Sequence, residues 1–139
     1  MSNLNQKSDT RVFDNKNKPK GILRLLLAFK NSQRAMTWLL KNEAAFKQEC
    51  ILLIVASVAL IFWPIAVVEK AVLFSAILFV IFAEIVNTAI EVTIDRMSKE
   101  IHPLSGLAKD LGSAGVLVSM LIAIVLWSAV FIDYMQWAS

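Results

Sequence analysis

Three long apolar runs separated by short polar breaks dominate this chain, and a helical pattern precedes them. From Gly21 to Lys41 the apolar residues recur with a helical period. At 100° per residue, Ile22, Leu25, Leu26, Phe29, Met36 and Leu40 fall on one face. Lys30, Arg34 and Lys41 fall on the opposite face, with Arg24 and Asn31 at its edge, and only Gln33 intrudes on the apolar side. A basic amphipathic helix of this kind belongs in the membrane interface, lying along it instead of crossing it. Residues 50–68 then carry no charge, enough for one bilayer crossing. Pro64 near the end of that run, with Glu69 and Lys70 just after it, predicts a tight turn. A second run, 71–94, is interrupted by Glu84 and Glu91, and a third, 111–132, is again free of charge.

These patterns predict an all-α membrane protein with an N-terminal amphipathic surface helix and three transmembrane helices. The expected division is a polar tail over 1–20, an interfacial helix over 21–42 and a three-helix unit over 43–139. The tail ends in Lys18-Pro19-Lys20 and has no periodic apolar face, so it is expected to be disordered. It also lacks the apolar core of a secretory signal, and no cleavage is expected. There is no internal repeat.

Composition agrees. Hydrophobic residues make up 58% of the 139 and charged residues 18%, with a mean hydropathy of +0.64, which excludes both disorder and an ordinary soluble domain. The single cysteine, Cys50, cannot close an intramolecular disulfide, and no paired cysteines could hold zinc. The net charge of +3 is unevenly spread, for residues 1–48 carry ten of the fourteen Lys and Arg but only three acids. A basic end on an apolar body suits an anionic membrane surface better than nucleic acid. The connection 95–110 adds Arg96, Lys99 and Lys109, whereas the turn after the first crossing has only Lys70 and the C-terminal end has no basic residue. The positive-inside rule therefore puts the N-terminus and 95–110 in the cytoplasm and the C-terminus outside. Trp63 and Trp137 then fall near the outer interface, where aromatic residues gather.

The second crossing carries the chemistry. Glu84, Asn87, Thr88, Glu91 and Asp95 are spaced i, i+3, i+4, i+7 and i+11, so all five project from one helical stripe. A carboxylate within the bilayer costs on the order of 2.5–3.5 kcal/mol, so two of them call for a purpose. Glu84 and Glu91 stand two turns apart, about 10.5 Å along the axis, which suits separate roles. Upstream, Glu43 and Lys47 have the i, i+4 spacing of an exposed ion pair. Glu43 also stands at the cytoplasmic level expected for Glu91, where two carboxylates from different helices suit a magnesium ion. Lys109, beside Asp110, is either a topology anchor or a point charge for a phosphate group. In the third crossing Gly115, Ser119 and Ala123 form a small-residue stripe that permits close helix contact, within a subunit or between subunits. No soluble nucleotide-binding motif is present. Spacing alone would equally fit a proton-linked carrier or a helical interaction protein.

At NEAAFKQE, AEIVNTAIEVTIDR and HPLSGLAKDLGSAGVL the chain resembles the prokaryotic diacylglycerol kinases, from about Arg24 to the C-terminus. The resemblance implies a homotrimeric bundle whose active sites are shared between subunits. It implies transfer of the γ-phosphoryl of MgATP to the hydroxyl of diacylglycerol, giving phosphatidic acid, at the cytoplasmic face of a bacterial inner membrane. By motif match Glu84 is the catalytic base, and Glu43 and Glu91 hold Mg2+ and contact ATP. Lys109, Asp110, His102 and Asn31 fall on the ATP side, and Arg24 near both phosphate and lipid. Ser32, Glu49, Asn87 and Ser113 join Glu84 on the lipid side. The chain departs from the family pattern at Asn31 and Ile101, where aromatic residues are frequent, and at Gln33, in place of a tryptophan. A sister branch phosphorylates undecaprenol. NTAIE and HPL occur in that style too, whereas NEAAFKQE and KDLGSA are nearer the diacylglycerol kinases. Diacylglycerol is the expected acceptor and undecaprenol the alternative.

Overall fold

The structure is a computed structural model that describes residues 20–97 and 102–138. The tail apart from Lys20, together with Lys99 and Ile101, lies outside the described residues. Four helices follow one another: α1 (Ile22–Asn42), α2 (Ala44–Phe62), α3 (Val67–Met97) and α4 (Pro103–Ala138). No strand occurs among the described residues, as the apolar periodicity predicts. The chain divides into two units between Thr37 and Trp38.

The first unit holds most of α1. Gly21 precedes it with φ +63°, a conformation that only a residue without Cβ adopts freely, and its carbonyl accepts from Arg24 N at 3.1 Å. Ile22, Leu25, Leu26 and Phe29 are all exposed.

The second unit opens with the last turn of α1, where Asn42 Nδ2 donates to Trp38 O at 2.7 Å. Glu43 alone is extended (φ −104°, ψ 119°) before α2 begins. Within NEAAFKQE, Asn42 ends α1, Glu43 links the helices, and Ala44–Glu49 forms the first turns of α2 instead of preceding the crossing helix as its charges suggested. Ala, Lys and Gln are good helix formers, and a charge on one face does not interrupt a helix. At the other end, Pro64 disfavours helical geometry in the residue before it, and Trp63 is extended (φ −77°, ψ 123°).

The turn also differs from expectation. Glu69 and Lys70 do not form it but lie in the first turn of α3, where Glu69 Oε2 accepts from Ala66 N at 2.7 Å. That bond satisfies one of the donors a helix start leaves orphaned. The expected connection 95–110 is likewise shorter, because Asp95 and Arg96 belong to α3 and Lys109 and Asp110 to α4. Pro103 occupies the first position of α4, where a missing N–H is harmless. His102 caps that helix, its Nδ1 accepting from Leu104 N at 3.2 Å.

Helix α3 packs against both α2 and α4. Leu39, Phe46 and Ala56 meet Ile77 and Ile81 in the core, with Cys50, Leu53, Ile85 and Trp127 around them. Trp127 Nε1 also donates to Leu73 O at 3.3 Å, tying α4 to α3. Trp63 packs among Trp127, Phe131 and Tyr134, the last edge-on with ring centroids 5.6 Å apart. Of the small-residue stripe, Ser119 is buried, Ala123 is half-buried and Gly115 is exposed, so the stripe serves packing within the subunit only in part. Helices α2, α3 and α4 are each long and apolar enough to cross a membrane, and their outward apolar side chains stay exposed, as a lipid-facing surface requires. This is a membrane protein.

Candidate active site

The polar stripe of α3 is graded in burial. Glu84, Asn87 and Thr88 are buried, at 7%, 8% and 5% exposure, Glu91 is half-buried, and Asp95 is exposed. The gradient places an enclosed carboxylate at one end of the stripe and an open one at the other. Asn87 Nδ2 donates to Glu91 Oε1 at 3.0 Å, one helical turn away. From α2, Glu49 lies on the same buried face as Phe46, Ala56 and Leu60. Neither oxygen of Glu49 has a hydrogen-bond partner among the described residues, and nor does Asn87 Oδ1. Such orphaned acceptors cost about 1–3 kcal/mol each, and more when charged, which marks this region as built for something other than stability. Glu84 interacts electrostatically with Glu49 of α2, with Glu91 on its own helix and with Glu43 in the link before α2, so four carboxylates share one neighbourhood.

Glu43 does not pair with Lys47. The Lys47 ammonium reaches the Lys41 carbonyl at 3.3 Å instead, near the end of α1. Basic side chains favour that position, where the last carbonyls lack intrahelical donors. On α4, Lys109, Gly112, Val116 and Ser119 are spaced i, i+3, i+7 and i+10, and the Lys109 ammonium forms an ion pair with Asp95 of α3. Asp110 and Ser113 lie on an exposed face of α4, and His102 is exposed at its start with Nδ1 engaged in the cap. Arg24, Asn31 and Ser32 are exposed on α1, within the first unit.

No three His, Cys, Asp or Glu side chains converge tightly enough among the described residues to enclose a metal ion alone. The donors present are carboxylate and amide oxygens, which are hard ligands. Magnesium is ordinarily held by one or two carboxylates with substrate phosphates and water completing its shell, so Glu43 and Glu91 fit it without a third side chain.

Two residues gain a place that the spacing did not give them. Asp95 was legible as the last member of the stripe, but its lysine partner comes from another helix. Gly112 lies within a recognisable motif, yet nothing in the sequence marks it as the residue facing Asn87. A Cβ built on Gly112 would collide with the Asn87 amide oxygen.

Residues 30–131 match the family described as prokaryotic diacylglycerol kinase. The diacylglycerol kinase of Escherichia coli strain K12 is 36% identical over 111 residues, covering 80% of this chain and 91% of the relative. That of Haemophilus influenzae is 34% identical over 113 residues, covering 81% and 96% respectively. That of Pseudomonas aeruginosa is 34% identical over 112 residues, covering 81% and 91%.

Proposed function

This chain belongs to the prokaryotic diacylglycerol kinase family and is an ATP-dependent lipid kinase, and from that premise we propose that it transfers the γ-phosphoryl of ATP to the hydroxyl of diacylglycerol. The observation that carries the reading is the buried Glu84 carboxylate on a membrane-crossing helix, with Glu91 half-buried two turns away on the same stripe. An enclosed carboxylate can be reached by a lipid hydroxyl from the bilayer side, while the more open end of the stripe is reached by a water-soluble nucleotide.

In this reading the hydroxyl oxygen of the lipid attacks the γ-phosphorus, the new P–O bond forms, and the bond to the departing ADP oxygen breaks. Glu84 accepts the hydroxyl proton as the attack proceeds. Lys109 offsets negative charge on the phosphates, swinging between them and Asp95. Asp110, His102 and Asn31 contact the nucleotide, and Arg24 stands near phosphate and lipid. Ser32, Glu49, Asn87 and Ser113 border the lipid. Glu43 and Glu91 would hold Mg2+, which when bound neutralises charge on the transferring group. The absence of a P-loop is no obstacle, since phosphoryl transfer rests chiefly on positioning and charge compensation.

The metal assignment makes a direct prediction. Glu43→Gln and Glu91→Gln should each raise the magnesium concentration needed for half-maximal activity while leaving the protein folded, because each removes an anionic ligand with little change of shape. Magnesium titrations that superimpose on wild type for both variants would remove the assignment.

The protein is further proposed to work as a homotrimer in the inner membrane, with its N-terminus cytoplasmic and its C-terminus outside, as the basic asymmetry of the sequence supports. A cysteine introduced at Trp137 should react with an impermeant reagent added outside intact cells. Labelling only after the cytoplasm is opened contradicts that orientation. The lipid acceptor is tested by competition in mixed micelles holding diacylglycerol and undecaprenol at equal mole fraction. Label from ATP should go mainly to phosphatidic acid, and preferential labelling of undecaprenol overturns the assignment.

A further inference from the structure

We propose that Gly112 is a positioning residue: by lacking a side chain it leaves room on α4 for the Asn87 amide, which in turn fixes the Glu91 carboxylate. The proposal rests on the reading of Glu91 as a magnesium ligand. Asn87 is buried, its Nδ2 donates to Glu91 Oε1 at 3.0 Å, and its Oδ1 has no hydrogen-bond partner among the described residues. That oxygen occupies the space where a Cβ of residue 112 would stand. Turning the amide over would face its oxygen towards the Glu91 carboxylate, oxygen against oxygen, so the amide has one favourable orientation, and the missing side chain of Gly112 leaves room for it.

The collision is confined to the amide. The same Cβ would lie 3.6 Å from Asn87 Cα, an ordinary van der Waals distance, so the two helices need not separate to admit it. An alanine at 112 therefore displaces one side chain and spares the helix packing. The side chain it displaces carries the bond to Glu91. Gly115 provides the internal comparison, because a Cβ there meets nothing within 4 Å. Hydrogen-bond partners of a metal ligand typically govern 10–100-fold in metal affinity or activity, which sets the expected scale.

The experiment uses the full-length protein in detergent micelles, with Mn2+ as a spectroscopic stand-in for Mg2+ and a non-hydrolysable ATP analogue present. Bound Mn2+ is measured by electron paramagnetic resonance, alongside the magnesium activation constant and turnover. Gly112→Ala should weaken Mn2+ binding by about 10–100-fold and raise the magnesium activation constant, with thermal midpoint and oligomer size kept. Gly115→Ala should bind Mn2+ as wild type does. Asn87→Ala should reproduce the Gly112→Ala defect, and the double variant should be no worse than either single one, because both break the same link. Wild-type Mn2+ binding by a folded Gly112→Ala, or effects of the two substitutions that simply add, overturns the proposal. Should Gly112→Ala not fold, Asn87→Ala decides, and wild-type Mn2+ binding there overturns it equally. Glu91→Gln separates the two levels. If it binds Mn2+ normally, the metal reading fails and takes this proposal with it. If it binds weakly while Gly112→Ala binds normally, only the role of Gly112 fails.

Discussion

Glu84→Gln should retain fold, oligomer and nucleotide binding and lose about 10²–10⁴-fold in turnover, the usual cost of removing a general base. Glutamine preserves the volume of a side chain that is 7% exposed, so the packing of α3 has no reason to change. It can still accept and donate hydrogen bonds, but it cannot take the proton of a lipid hydroxyl. The defect should therefore appear in kcat with little change in apparent affinity for ATP, the pattern of an interaction made only in the transition state. A purely structural Glu84 gives a different result. Replacing a buried carboxylate by a neutral amide would then alter stability, and activity would track the fraction of intact oligomer. Oligomer fraction, nucleotide binding and turnover measured on one preparation distinguish the two, and near wild-type turnover places the base elsewhere.

The second large effect is expected at Lys109. Lys109→Leu should lower both ATP affinity and turnover, with turnover falling by about 10²–10³-fold, because a cation facing the phosphates matters most as charge develops on them. Lys109→Arg should recover only part of the activity, since a planar guanidinium does not replace a compact ammonium at a crowded phosphate. The ion pair with Asp95 does not make Lys109 a structural strut. Both side chains retain substantial exposure, and pairs of this kind contribute about 0–1 kcal/mol. The leucine variant should accordingly fold, and its thermal midpoint checks that point. Wild-type kinetics for Lys109→Leu would leave the lysine as a topology anchor only.

The two assignments differ in how far the sequence exposed them. Glu84 and Glu91 could be placed on one stripe because the helical period is local and survives without knowledge of any neighbour. Their burial gradient followed from the same logic, since one lies deep in an apolar run and the other near its end. Glu49 was harder to read. Its charge argued for a position outside the crossing helix, yet α2 starts at Ala44 and turns Glu49 towards the buried face with Phe46. A charge-free window locates the most apolar part of a helix and says little about where the helix begins.

Helix ends obeyed short-range chemistry that the apolar pattern does not contain. Pro64 acted on the residue before it, the Glu69 carboxylate reached back to a free N–H, and His102 with Pro103 fixed the start of α4. The Lys109–Asp95 pair and the Gly112–Asn87 approach lie further from anything the sequence displays. Both join α4 to α3, with partners 14 residues apart in the first case, and depend on how the two helices rotate against each other. Periodicity assigns a face to each residue but not the residue opposite it. The exposed faces of Asp110 and Ser113 show the same limit, for the motif that names them does not say which way they point.

The most direct test of lipid kinase activity follows radiolabelled γ-phosphate from ATP, with purified wild-type protein, diacylglycerol and magnesium in mixed micelles. Label should enter the lipid phase as phosphatidic acid, only when magnesium and diacylglycerol are both supplied, and should almost vanish with Glu84→Gln. Label appearing only as inorganic phosphate, or entering lipid equally well with the glutamine variant, would contradict the account.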